Sequence, residues 1–174
     1  MYTTTGIVLK RTDVGEADSL FTLYTRNFGK MRALAQGVKK EDAKLKGHLE
    51  PFNAVSLSFV IGKSGARLTH AAVFNHWAEA RLHLKKLEAL FFMAETLDAH
   101  CWEGEEDLPL WVFFLQKLQA LAAMENDRMY ECAAQFCETF REELLARLGY
   151  GEVHGRRLSV ELARSRAVRY NGEV

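Results

Sequence analysis

Cysteine is scarce in this chain: Cys101, Cys132 and Cys137 are the three in 174 residues. An odd number, all within stretches of helical pattern, argues for reduced, mostly buried thiols in a reducing compartment. Cys132 and Cys137 stand five apart, with no histidine or second cysteine pair at ligand spacing, so no zinc site is expected. Long apolar runs are missing too. None approaches the roughly 18 residues of a membrane-spanning helix. Met1-Tyr2-Thr3-Thr4-Thr5 lacks the basic-then-apolar order of a signal peptide, and a cytoplasmic location is expected. There is no internal repeat or low-complexity segment. His48, His70, His76, His83, His100 and His154 are scattered, with few acids beside them. Neither a nucleophile–base pair nor a metal constellation emerges, so neither an enzyme nor a cofactor is expected.

Net charge is also absent, with 23 Lys/Arg against 23 Asp/Glu, but the balance hides an asymmetry. Residues 1–77 hold eleven basic and six acidic side chains, a charge of +5, and residues 78–174 hold twelve and seventeen, a charge of −5. Such a division suggests a polyanion-facing surface on the first part and a protein-facing or purely structural mass on the second.

The basic part alternates like a small all-β unit. Strands are expected at Gly6–Arg11, Ser19–Thr25, Met31–Gln36, Val55–Ile61 and Arg67–Phe74, separated by turns around Gly15, Gly29 and Gly62-Lys63-Ser64-Gly65. Leu20, Thr22 and Tyr24 share one face of the second strand, with Phe21, Leu23 and Thr25 on the other. Val55, Leu57, Phe59 and Ile61 are expected inside. Five short strands with glycine turns fit an OB-like barrel, whose closure removes exposed edges. Gly62-Lys63-Ser64-Gly65 lacks the full phosphate-loop pattern and a following amphipathic helix, so nucleotide hydrolysis is not expected.

Lys39, Lys40, Lys44 and Lys46 fall within eight residues of the polar segment Val38–Leu49, near Lys30 and Arg32. Spread cations on a turn-borne surface suit phosphate binding. Glu41 and Asp42 interrupt them, and a solvated loop is the alternative. Tyr24, Phe28 and Phe52 are either core residues or stacking platforms for bases. The acids of Gly15-Glu16-Ala17-Asp18 fit a turn that aims the next strand better than an acid–base site.

From Trp77 the period becomes helical. Leu84, Leu87, Leu90, Phe91, Ala94, Leu97 and Cys101 form one stripe. Leu110, Trp111, Phe114, Leu115, Leu118, Leu121 and Ala122 form a second, and Ala133, Phe136, Cys137, Phe140, Leu144 and Leu148 a third. Pro109 suits the first turn of the middle helix, and Gly149 a C-terminal stop. Expected boundaries are a barrel at 1–77, a helical unit at 78–150 and a basic tail at 151–174. The tail carries Arg156, Arg157, Arg164, Arg166 and Arg169 and is either a short strand–helix segment or a frayed end.

Several segments, taken in order, resemble the amino-terminal domain of the RecO family of DNA repair and recombination mediators. They are Thr5-Gly6-Ile7-Val8-Leu9-Lys10, Gly15-Glu16-Ala17-Asp18-Ser19-Leu20, Leu23-Tyr24-Thr25, Phe28-Gly29-Lys30, Ala35-Gln36-Gly37-Val38-Lys39-Lys40 and Gly47-His48-Leu49-Glu50-Pro51-Phe52. Leu144-Leu145-Ala146-Arg147-Leu148-Gly149-Tyr150 is similar to the family's later helix end. The resemblance implies an OB barrel that binds single- and double-stranded DNA, followed by a helical domain. It carries Lys10, Arg11, Arg26, Lys30, Arg32, Lys39, Lys40, Lys44 and Lys46 to a DNA face. It also implies strand annealing, help to the recombinase RecA in displacing the single-stranded DNA-binding protein SSB, and the partners SSB and RecR in a nucleoid-associated setting. Many members carry a four-cysteine zinc segment after the helix end. Residues 151–174 contain no cysteine, so a short form without that metal is expected. For the acidic tail of SSB, an interhelical pocket of Arg81, Lys85, Trp111, Phe114 and Arg141 is the candidate, with core and salt-bridged surface as the alternative. A protein-interaction adaptor with weak or no DNA binding is the second functional expectation.

Overall fold

The computed structural model describes residues 1–40 and 43–150. The expectations for the 151–174 tail, its missing metal included, lie outside the described residues. Five strands, β1 (Tyr2–Val14), β2 (Asp18–Thr25), β3 (Gly29–Ala35), β4 (Ala54–Gly62) and β5 (Gly65–Asn75), close into a barrel in the order β1-β2-β3-β5-β4. All neighbours are antiparallel except β3 and β5, which pair in parallel through Ala33–Ala66 and Leu34–Arg67. This is the expected OB-fold barrel. Four helices follow: α1 (Ala78–Arg81), α2 (Leu84–His100), α3 (Leu108–Ala123) and α4 (Asn126–Arg147).

Strand alternation gives the barrel two working faces. Val8, Phe21, Leu23, Ala33, Val55, Leu57, Phe59 and Leu68 point inward and form a closed core. Val38, Leu45 and Leu49 drop into the same core, anchoring the described residues of the 38–49 segment at three points. Ile61 departs from expectation: it is 65% exposed. It pairs with Ala66 next to the Gly62–Gly65 closure, at the hairpin tip where no interior remains to be filled.

The outward row Ile7–Tyr24 meets the helices. Ile7, Leu9, Tyr24, Phe52 and Ala54 belong to one apolar cluster with α2, α3 and α4. The Tyr24 ring lies 6.1 Å from both Trp111 and Phe114. Barrel exterior and helical bundle thus share a core. Helix α3 starts where expected because Asp107 accepts from Leu110 N at 2.8 Å and Pro109 occupies the first turn. Helix α2, with its C-cap, buries Leu90, Ala94, Leu97 and Cys101 of the expected stripe, with Leu87 partly buried, and departs from it at two positions. Its buried residues are Lys86, Ala89, Leu90, Met93, Ala94, Thr96 and Leu97, while Leu84 and Phe91 are exposed. Lys86, a polar residue, joins the buried face and donates from Nζ to Ala122 O at the end of α3, 3.2 Å away. On α4 only Met129, Phe140 and Leu144 are fully buried. Helix α1, four residues long, has too little periodicity to be read from sequence.

Cys101 closes α2 within this shared core, and burial pushes its thiol up to about 12. Burial likewise raises the Tyr24 hydroxyl, whose oxygen has no hydrogen-bond partner among the described residues. Both groups are neutral when protonated, and both titrate higher folded than unfolded. Their contribution to stability is therefore present below the ordinary thiol and phenol values of 9.0 and 10.0 and lost as pH rises above them. Melting temperature is expected to fall above about pH 9, with a shallower fall in Cys101→Ala. An alkaline melting profile identical in the two proteins would remove Cys101 from that interface.

Candidate nucleic-acid interface

The strand register decides which cations share a surface. Lys10 pairs with Thr22 and Thr22 with Arg32, so Lys10 and Arg32 stand on one outward row across β1-β2-β3. The next outward row towards the lysine segment runs Thr12–Leu20–Leu34 and continues across the parallel pair to Arg67. Arg67 escapes sequence reasoning because only barrel closure brings β5 beside β3. Its guanidinium donates to Gln36 at 3.2 Å, just ahead of the lysine segment. In the opposite direction lie Lys30, opposite Tyr24, and then Arg26 in the β2–β3 turn. At about 3.3 Å per residue, the cations from Arg26 to the 39–46 segment follow β3 as a stripe tens of ångströms long.

The stripe is not uniformly free. Lys10, Arg26, Lys40, Lys44 and Lys46 are exposed, with no ion pair to a described residue. Four expected DNA contacts are already engaged. Lys30 is the firmest correction: its Nζ donates to the Asp98 backbone oxygen at 2.5 Å and to Asp98 Oδ1 at 3.1 Å, with 12% of the side chain exposed. It joins barrel to α2. Arg32 pairs with Glu103 at 2.5 Å. Arg11 donates to Ser19 Oγ and Asp13, and Lys39 donates to Gly15 O at 2.7 Å with Asp13 Oδ2 at 3.5 Å. The Ser19 hydroxyl, 2.9 Å away, holds the Asp13 carboxyl below the usual carboxylate range, helped by Lys39 and Arg11.

These contacts explain the Gly15-Glu16-Ala17-Asp18 turn. Asp18 Oδ1 accepts from Gly37 N at 2.7 Å, and Lys39 N donates to Ala17 O at 3.0 Å. The turn fixes the start of the lysine segment. Asn53 fixes its end, donating from Nδ2 to His48 O at 2.9 Å. Three of four lysines in that segment therefore face solvent from an anchored frame. The aromatic candidates are packing residues: Tyr24 and Phe52 are buried, and Phe28 sits edge-on to Tyr2 and Phe59.

The expected interhelical pocket does not form. Trp111 and Phe114 are buried against Tyr24. Lys85 pairs with Glu88, and Arg141 with Glu138 one turn away on its own helix. Arg81 turns back to the barrel, donating to His76 O at 2.6 Å, to Asn53 Oδ1 at 2.8 Å and to Pro51 O. Those acceptors flank Phe52 and Trp77, the two non-glycine residues in the left-handed region among the described residues, at φ 68° and 51°. A helical stripe announces burial without naming its partner, and here the partner is the barrel exterior. An open pocket of about 390 Å³ does lie elsewhere, between α1 and the α3–α4 junction, lined by Glu79, Leu82, Lys86 and Met124.

Among the described residues, no three His, Cys, Asp or Glu side chains are placed to hold a metal, and no helix is long and apolar enough to cross a membrane. Arg81→Ala strands three acceptors and releases two strained residues. It is expected to cost about 2 kcal/mol in urea denaturation, and a variant of wild-type stability would return Arg81 to the surface set.

Residues 1–76 match the family "Recombination protein O N terminal". The chain is 32% identical over 123 residues to a DNA repair protein RecO of Roseiflexus sp. (strain RS-1), covering 71% of this chain and 43% of that relative. It is 34% identical over 128 residues to the one from Gloeobacter violaceus, covering 74% and 49%. To that of Pelotomaculum thermopropionicum it is 27% identical over 150 residues, covering 86% and 56%. The chain spans about half the length of the curated relatives it matches. An OB-fold barrel with a cation stripe, a helical bundle seated on its outer face and this set of relatives place the chain in the RecO family.

Proposed function

We propose that this chain is a nonenzymatic DNA-binding protein of recombinational repair, which grips single- and double-stranded DNA by its phosphates and anneals complementary strands. The observation that carries the reading is the anchored lysine segment beside the Lys10–Arg32 row. Charge neutralisation lets two phosphate backbones approach while bases stay free to pair. Packing of Tyr24, Phe28 and Phe52 within the fold favours backbone contacts over base stacking by these three rings, and little dependence on base sequence. In this reading residues 1–77 are the DNA-binding unit and 78–150 the partner-facing unit. The partners are SSB, RecR and, through them, the recombinase RecA, loaded onto SSB-coated single strands in the cytoplasm at the nucleoid.

One observation favours a second reading. Four of the nine expected DNA cations are held by acids or backbone within the fold, as suits an adaptor with weak DNA affinity. Fluorescence anisotropy over a salt series separates the two. Wild-type affinity is expected to fall steeply with salt. The Lys40→Ala/Lys44→Ala/Lys46→Ala variant is expected to melt as the wild type does, and to lose about 2 from the log–log salt slope on single strands, roughly 0.7 for each lost phosphate contact. An unchanged slope, or no salt-dependent binding by the wild type, would favour the adaptor.

A further inference from the structure

Among the described residues, Glu103 is the acid from the helical side that pairs with the Lys10–Arg32 row. It lies in the α2–α3 connection, and that connection is seated on the barrel. Glu103 forms bridges with Gly29 and Lys30, and Gly104 N donates to Lys30 O at 2.9 Å. The approach is so close that a Cβ on Gly29 would fall 1.8 Å from the Glu105 carbonyl oxygen. Glycine at Gly29, with φ at 56°, is what permits the seat. Lys30, tied to Asp98, holds the same strand end against α2.

The Glu103 carboxylate is thereby delivered 2.5 Å from Arg32 Nε. The side chains are 58% and 46% exposed, so water screens the pair and it contributes little to stability. Its effect on an approaching polyanion is larger. Arg32 shares its row with Lys10, and a phosphate that bound there would have to displace or face the carboxylate. We propose that Glu103 is a resident anion on the nucleic-acid face: it occupies Arg32 in place of a phosphate and weakens binding there. This rests on the DNA-binding reading above. It distinguishes Arg32 from the exposed lysines Lys40, Lys44 and Lys46.

Anisotropy with a mixed-sequence single-stranded oligonucleotide tests it. The proteins are the wild type, Glu103→Gln, Glu106→Gln, Arg32→Ala and the Glu103→Gln/Arg32→Ala double variant. Glutamine keeps the length of the side chain and leaves the backbone bridges intact. Freeing one cation for one phosphate is expected to steepen the salt slope by about 0.7, which near 0.1 M salt is a gain in affinity of about 5-fold. Glu106→Gln, whose acid has no cation partner among the described residues, is expected to gain less than about 2-fold, because a screened surface charge acts only weakly. The Glu103→Gln gain should vanish in the Arg32→Ala background. No gain in Glu103→Gln, an equal gain in Glu106→Gln, or a gain that survives loss of Arg32 would overturn the inference while DNA binding stands. A wild-type protein without salt-dependent binding would overturn the DNA reading itself.

Discussion

The fold depends on a single seat, where the outward side of the β2–β3 hairpin receives the helices. Tyr24 supplies the apolar half, facing Trp111 and Phe114, and Lys30, its partner across the β2–β3 pair, supplies the polar half through Asp98. A buried aromatic contact contributes area without direction. The lysine adds direction, because its ammonium must find acceptors once water is excluded. Arg81 repeats the arrangement at the barrel's other edge, and the Gly29–Glu105 approach leaves the connecting segment no room to drift. The helices thus engage the stripe at Lys30 and Arg32, while Lys40, Lys44 and Lys46 stay exposed.

That placement sorts the cations. Near the helices Lys30 and Arg32 meet acids from the helical half, which carries the chain's negative excess. Away from them the lysine segment is pinned through its backbone and its hydrophobic residues, so Lys40, Lys44 and Lys46 remain exposed. Sequence charge alone counts all of these alike. What separates a strut from a phosphate contact is the neighbour that folding delivers.

The same distinction explains how far the sequence could be read. Alternation exposed the barrel because its interior, from Val8 to Leu68, is filled by one face of each strand. It misplaced Ile61, since alternation does not say where a hairpin outruns the barrel. Helical stripes marked α2, α3 and α4 correctly, but they left out Lys86, which joins the buried face of α2, and Trp111 and Phe114 looked like pocket walls because their partner, Tyr24, lies 87 and 90 residues earlier in the chain. Arg67 became visible only with the parallel β3–β5 pair. The ordered motifs around Gly15 and Gly47 were legible, and their task is now physical: Asp18 and Asn53 clamp the two ends of the lysine segment.

Ion pairing within the fold divides these cations into a structural set and an open set, the open set being the DNA contacts we propose. Lys30→Met tests it most directly, by thermal melting and by the salt slope of single-strand binding on the same preparation. The account expects a melting temperature lower by about 4 °C or more, with a salt slope equal to that of the wild type. A slope reduced by about 0.7 at an unchanged melting temperature would make Lys30 a phosphate contact and contradict the division.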